Sequence, residues 1–289
     1  MTGIITGSTG VYGIIGYPIG HSLSPMMQNA AFEQLGLDCI FVPFAVHPDG
    51  LGQAVEGLRS LGVVGFNVTV PHKAAIIPFL DEISPEALLA GAVNTVKLND
   101  GRLIGYNTDG IGLLASLRDD LGFVPEGKTV LILGAGGAAM GGAAALCNAA
   151  VSEVFIANRT IGRAKALASK LSGVFPHITV SAIGLETGEL AANASRADLC
   201  INTTSVGLGG GTLDYSFLQY MDKAAVVYDM VYNPPKTVFL TEAERCGMRI
   251  ANGLGMLAAQ GEAAFQIWTG MQSPSGLMKS RLAGFILHR

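Results

Sequence analysis

Three groups of residues in this chain have types and spacings that suit chemistry. The first is Gly16-Tyr-Pro-Ile-Gly-His-Ser-Leu-Ser-Pro25. Ser24 suits an N-cap and Pro25 the first helical position. Ser22 and Ser24 therefore stand at a helix start, where hydroxyls and free N–H groups converge. Such a loop can receive a carboxylate or phosphate, or it can simply cap its helix. The second group is Asn67-Val-Thr-Val-Pro-His-Lys73. In a strand, Asn67 and Thr69 point to one face. Pro71 stops the strand and can begin a helix, which puts Lys73 in a first turn where the helix dipole opposes a cation. A Lys held there against local stability points toward function, although an ordinary surface Lys is the commoner case. The third group is Thr129–Asn158, TVLILGAGGAAMGGAAALCNAAVSEVFIAN. Its glycines allow a tight turn and close backbone approach, and the helix that follows offers free N–H groups to a pyrophosphate.

The elements that position these residues can be read from pattern. In the third group, strand Thr129–Leu133 leads through Gly134–Gly137 into an Ala-rich helix to about Ala150, and then into strand Val154–Ala157. This strand–turn–helix–strand unit opens a dinucleotide-binding fold, with Ala139 at the third glycine position, where Ala is allowed. Its charge-free stretch, Thr129 to Ser152, is long enough to raise a membrane span, but the helical half is mostly Ala and Gly and lacks the residues that insertion favours. Further strands are expected at Ala197–Asn202 and Ala225–Met230. Alternation of strands and helices at this spacing gives a doubly wound parallel sheet, with ligands at the carboxyl ends of its strands. The second strand ends in Asn158-Arg159-Thr160, with Arg163 nearby, where an NAD site would carry Asp or Glu. Arg can bind a 2′-phosphate bidentately, so NADP is the expected cofactor.

In the amino-terminal part, strands are expected at Val11–Gly16, Cys39–Ala45 and Val63–Val70, and helices from Ser24 to Leu35 and over Leu51–Leu61. Ala92–Leu98 and Arg102–Tyr106 form a hairpin across Asn99-Asp100-Gly101. Asn94 lies early in this hairpin. Asp109 lies beyond it at a helix start, where capping is one role and Asn107 or Thr108 could equally cap. The helix from about Gly110 to Leu121 links two domains. A helix from Leu254 carries Gln260 on a mostly apolar surface and returns to the first domain. The expected fold class is thus α/β with two domains. Residues 1–110 plus 253–289 form an α/β substrate domain, and residues 111–252 form a Rossmann-type NADP domain.

Composition agrees with a well-buried α/β protein: 14% of the 289 residues are charged and the net charge is −4. That leaves no basic footprint for nucleic acid. The four cysteines are far apart with no C-x-x-C pair, so neither a zinc site nor a disulfide framework is expected, and no metal is assigned. The amino terminus lacks a basic segment followed by a continuous apolar one, so a cytoplasmic location is expected.

With these stretches assembled, the chain resembles the shikimate dehydrogenase family. The resemblance rests on GYPIGHSLSP, NVTVPHK, GAVNT, GYNTDG, GAGGAA, NRT, NTTSVG, YDMVYNPPKT and GLGMLAAQG, in this order over nearly the whole chain. It implies a reversible reduction of 3-dehydroshikimate to shikimate with NADPH, in the pathway to aromatic amino acids. Lys73 and Asp109 would be the catalytic pair, Lys73 acting as proton carrier or as fixed positive charge. Ser22 and Ser24 would bind the substrate carboxylate. Asn67, Thr69, Asn94, Asp109 and Gln260 would hold the ring hydroxyls together with Lys73, and Tyr232 would lie near substrate and nicotinamide. Gly134, Ala135, Gly136, Gly137 and Ala138 would cradle the pyrophosphate. Asn158, Arg159, Thr160 and Arg163 would face the 2′-phosphate, while Thr203, Ser205, Val231, Gly253 and Met256 would border the cofactor. The expected partners are small molecules only, on a monomer or homodimer. Two alternatives stand beside this reading: an NAD-using quinate/shikimate dehydrogenase, and a non-catalytic NADP-binding regulator on the same scaffold.

Overall fold

The computed structural model describes residues 4–204, 206 and 213–287. The chain divides into two compact units, Met1–Gly112 with Leu257–Arg289, and Leu113–Met256. From sequence the boundaries are expected at 110/111 and 252/253. Both observed divisions fall inside continuous helices, which carry the chain from one unit to the other.

The first unit opens with β1 (Gly10–Gly16), α1 (Ser24–Gln34), β2 (Cys39–Ala45) and α2 (Leu51–Ser60). It continues through β3 (Gly65–Val68), α3 (His72–Ala75), β4 (Glu82–Ile83), α4 (Pro85–Ala90), β5 (Thr95–Asn99) and β6 (Arg102–Tyr106). Its mixed sheet has the order β2-β1-β3-β5-β6-β4. The β5–β6 hairpin turns at Asp100 and Gly101, both with positive φ (49° and 78°). Two left-handed residues in succession match the twist of a two-residue hairpin. Strand β3 is shorter than the expected Val63–Val70, although Val64 and Thr69 still donate to Val11 and Ile15 of β1. Pro71 lacks an N–H and ends the pairing. Phe66, Val68, Val93, Val96 and Leu103 fill the core on one side of this sheet.

Helix α5 (Asp109–Leu121) leads into the second unit. There follow β7 (Thr129–Leu133), α6 (Gly137–Asn148), β8 (Glu153–Ala157), α7 (Ile161–Val174), β9 (Thr179–Ile183), α8 (Thr187–Ala194) and β10 (Leu199–Asn202). The unit is completed by β11 (Val226–Asp229), α9 (Val238–Arg245) and β12 (Arg249–Asn252). All pairs are parallel and the order is β12-β11-β10-β7-β8-β9. Numbered within the unit this is 6-5-4-1-2-3, the doubly wound dinucleotide-binding topology. The expected flexible loop Gly209–Gly211 lies outside the described residues.

Helix α10 (Leu254–Thr269) then re-enters the first unit, and α11 (Leu277–Leu287) packs on α1. The buried Trp268 of α10 donates its indole N–H to the Val96 carbonyl at 2.9 Å. Lys97 Nζ donates to the Ile267 carbonyl at 2.8 Å. These bonds fix α10, and with it Gln260, on the sheet of the first unit.

Candidate active site

Lys73 and Asp109 meet. Lys73 Nζ donates to Asp109 Oδ2 at 2.6 Å, and both side chains are partly shielded from water. Three features of the sequence bring this about. Pro71 turns the chain into the single-turn α3, so Lys73 leaves the end of β3. Its carbonyl is then held by the Val93 N–H at 2.7 Å, which fixes the turn against the hairpin. On the other side, Asn107 Oδ1 accepts the Asp109 N–H at 3.0 Å. Asn107 therefore satisfies this helix-start donor, and the Asp109 carboxylate is released for other work.

Asn94 aligns that carboxylate. Its Nδ2 donates to Asp109 Oδ1 at 2.9 Å, while its Oδ1 accepts from the Thr108 N–H at 2.9 Å and from Thr95 Oγ1 at 3.0 Å. Asn67 Nδ2 donates to Thr95 Oγ1 at 3.1 Å and to the Asn94 carbonyl at 3.0 Å. The buried Asn67 Oδ1 has no partner, an unmet acceptor of the kind that is costly unless a ligand donates to it. Thr95 and Thr108 are thus parts of the site that sequence reasoning missed or took only for a cap. Both are fully buried, which polar residues tolerate when hydrogen-bonded.

The other expected residues of this unit are placed as follows. Leu23 is the N-cap of α1, and Ser24 lies within the helix, buried. Ser22 Oγ instead accepts the Ser24 N–H at 3.3 Å, so the expected cap is shifted by local backbone geometry. Thr69 lies one residue beyond β3. Gln260 is nearly buried, with its Nε2 turned back to the Leu257 carbonyl at 2.7 Å. Gln28 Nε2 donates to the Gly261 carbonyl at 2.9 Å, tying α1, which carries Ser24, to α10 beside Gln260.

In the second unit the glycine turn leaves β7 at Gly134, whose φ of +113° is open to Gly alone. A Cβ there would lie 2.5 Å from Thr203 Oγ1. Ala135 is partly exposed, and Gly136, Gly137 and Ala138 are exposed. Gly136 caps α6 without any side-chain hydrogen bond, so the first N–H groups of α6 are not capped by a side chain. These features fit a pyrophosphate cradle. Gly134→Ala is expected to lower the unfolding free energy by roughly 1–3 kcal/mol and to weaken cofactor binding. Gly141→Ala, a helical position with open space around it, should be neutral or slightly stabilising. Denaturant unfolding of the two variants checks this.

Asn158 Nδ2 closes the turn after β8 by donating to the Thr160 carbonyl at 2.9 Å. Arg159, Thr160 and Arg163 are exposed around the start of α7. Val231 is buried and Tyr232 half-buried, its phenol pushed above the usual range by burial. A Cβ on Gly253 would strike the Met230 carbonyl oxygen at 2.2 Å, and Met256 ends this unit. Ser205 lies outside the described residues. Among the described residues no cluster of His, Cys, Asp and Glu could hold a metal, and no helix is long and apolar enough to cross a membrane.

A doubly wound sheet with a glycine turn after its first strand, joined to a unit carrying a shielded Lys–Asp pair, defines the class of two-domain, dinucleotide-linked α/β dehydrogenases. The chain belongs to the shikimate dehydrogenase family. Residues 14–96 match the shikimate dehydrogenase substrate binding domain, residues 120–206 the shikimate/quinate 5-dehydrogenase family, and residues 253–282 the shikimate 5′-dehydrogenase C-terminal domain. The chain is 55% identical to shikimate dehydrogenase (NADP(+)) of Geobacter metallireducens, over 96% of this chain and 97% of that one. Shikimate 5-dehydrogenase of Listeria monocytogenes, solved with shikimate and NAD, is 37% identical with a TM-score of 0.92, covering 98% of this chain and 99% of that one. Shikimate 5-dehydrogenase of Thermus thermophilus, solved with NADP(H) and shikimate, is 36% identical with a TM-score of 0.84, covering 95% of this chain and 99% of that one.

Proposed function

We propose that the protein is an NADP-dependent shikimate dehydrogenase, reversibly reducing 3-dehydroshikimate to shikimate in aromatic amino-acid biosynthesis. The observation that carries this is the Lys73–Asp109 pair, held by Asn94 on a family scaffold. When bound, NADPH supplies the hydride that reduces the ring carbonyl.

The protein's own residues handle the proton and the substrate. Lys73 Nζ lies against Asp109 and would protonate, or hold by charge, the oxygen that becomes an alkoxide. Asp109, fixed by Asn94, would orient the ammonium and accept a ring hydroxyl. The unpaired Asn67 Oδ1 would accept a second hydroxyl, with Thr69, Asn94 and Gln260 around the rest of the ring. Ser22 Oγ already accepts an N–H, which leaves its own O–H to donate to the substrate carboxylate beside Ser24. Gly134–Ala138 and the start of α6 would hold the pyrophosphate. Asn158, Arg159, Thr160 and Arg163 would hold the 2′-phosphate, and Thr203, Ser205, Val231, Tyr232, Gly253 and Met256 the nicotinamide side. Residues 1–110 with 253–289 would serve the substrate, and residues 111–252 the cofactor. The binding partners would be small molecules only, on a monomer or homodimer. Four free thiols support a reducing, cytoplasmic setting.

The test is to incubate purified protein with 3-dehydroshikimate and NADPH and identify the product. Stoichiometric shikimate and NADP⁺ support the reading. Intact 3-dehydroshikimate beside a protein that binds NADPH would replace it with the regulator.

A further inference from the structure

Asp229, the last residue of β11, is fully buried, and the mechanism above does not use it. Three donors converge on its carboxylate. Asn202 Nδ2 reaches Oδ1 at 2.9 Å, the Val231 N–H reaches Oδ1 at 3.0 Å, and Thr237 Oγ1 reaches Oδ2 at 2.6 Å. Burial pushes this carboxyl above the usual range, while the three donors pull it back toward the charged form. The chain of bonds continues through Asn202, whose Oδ1 accepts from the Thr204 N–H at 3.0 Å and from Thr204 Oγ1 at 2.7 Å. Thr204 Oγ1 in turn accepts the Val206 N–H at 3.2 Å. Next to it, Thr203 Oγ1 donates to the Leu133 carbonyl at 2.7 Å, hard against Gly134. Strands β11, β10 and β7 are neighbours in the sheet. Their carboxyl-terminal loops are therefore linked from Thr237 through Asp229 and Asn202 to the glycine turn.

We propose that Asp229 is a positioning residue for the cofactor: its buried carboxylate locks the Val231–Tyr232 loop to Thr203 and Thr204 at the end of β10 and sets the distance between the nicotinamide side and the pyrophosphate turn. This deepens the NADP reading and rests on it. An uncharged isostere cannot replace the carboxylate. In Asp229→Asn one oxygen becomes an NH2 group facing Thr237 Oγ1, which already accepts the Leu240 N–H at 3.3 Å. The Thr237 hydroxyl proton then loses its acceptor, and a buried donor without a partner is costly. The loops would relax rather than stay locked.

The experiment measures KM for NADP⁺ and for shikimate, kcat, and direct NADPH affinity by fluorescence titration, for the wild type, Asp229→Asn and Thr204→Val. Thr204→Val keeps the side-chain shape but breaks the chain two bonds from Asp229, so it carries the test if Asp229→Asn does not fold. The expected result is a rise in NADP⁺ KM and NADPH Kd of about 10-fold in Asp229→Asn and about 3-fold in Thr204→Val, with shikimate KM rising less than NADP⁺ KM in each. Unchanged KM values with a lower kcat would mean a loss of folded protein only, and would overturn the inference. So would cofactor affinity within about 2-fold of wild type in a folded variant, a difference smaller than one lost hydrogen bond. A wild type that fails to bind NADPH would overturn the functional reading itself, and this inference with it.

Discussion

Lys73→Ala is expected to lower kcat by ~10²–10⁴-fold, the range for loss of a positioned proton-transfer group, and to leave NADPH binding nearly intact. The structure explains both halves. The ammonium lies 2.6 Å from Asp109 in the first unit, and the expected pyrophosphate and 2′-phosphate groups belong to the second. Removing the amine takes away the only lysine at the Asp109 carboxylate among the ion pairs of the described residues. Nothing in the glycine turn changes. Steady-state kinetics with an NADPH titration checks the prediction. A loss of less than about tenfold, below what proton-transfer groups contribute, would remove Lys73 from the centre of catalysis.

Arg159→Ala is expected to cost NADP⁺ about 100-fold in kcat/KM and NAD⁺ far less. A hydrogen bond to a charged group contributes ~1.5–3 kcal/mol, and a bidentate guanidinium makes two to a phosphate. Two at the low end sum to ~3 kcal/mol, about a factor of 100. Arg159 and Arg163 are both exposed, so salt screens the long-range part of this attraction and the low end is the appropriate estimate. Equal losses with NADP⁺ and NAD⁺ would show that Arg159 does not read the 2′-phosphate. The Listeria monocytogenes structure with NAD makes that comparison informative.

Much of this was legible in the chain. The glycine turn, the parallel strands around it and the hairpin at Asp100-Gly101 follow from local rules of backbone and period, and each formed close to its expected position. The site was legible as motifs but not as contacts. Asp109 read as a cap because any Asp at a helix start does. Only in three dimensions does Asn107 take the Asp109 N–H and free the carboxylate. Ser24 likewise read as the N-cap of α1, whereas Ser22 accepts the Ser24 N–H.

Thr95 and Asp229 lie in the motifs GAVNT and YDMVYNPPKT, but nothing local shows what they bind. Thr95 is a β-branched residue in a strand, ordinary on propensity, and its importance comes from Asn67, which lies 28 residues earlier. Asp229 falls inside the expected strand Ala225–Met230, as the only charged residue of an apolar run, and nothing in that run says what its carboxylate binds. Its partners Asn202 and Thr237 are brought to it by strand pairing and by the start of α9. Strand β12 went unread because Arg249–Asn252 is only four residues long and mostly half-exposed. Such a segment becomes a strand by pairing with β11, not by its own pattern.

The most direct test of the account is a two-by-two assay of the wild type: shikimate or quinate, each with NADP⁺ or NAD⁺, followed by absorbance of the reduced cofactor. The account predicts that shikimate with NADP⁺ dominates. Comparable rates with quinate or NAD⁺ would contradict the cofactor and substrate assignment and move the chain to the broader-specificity reading. No rate in any combination, with NADP(H) still bound, would contradict the catalytic role given to Lys73 and Asp109.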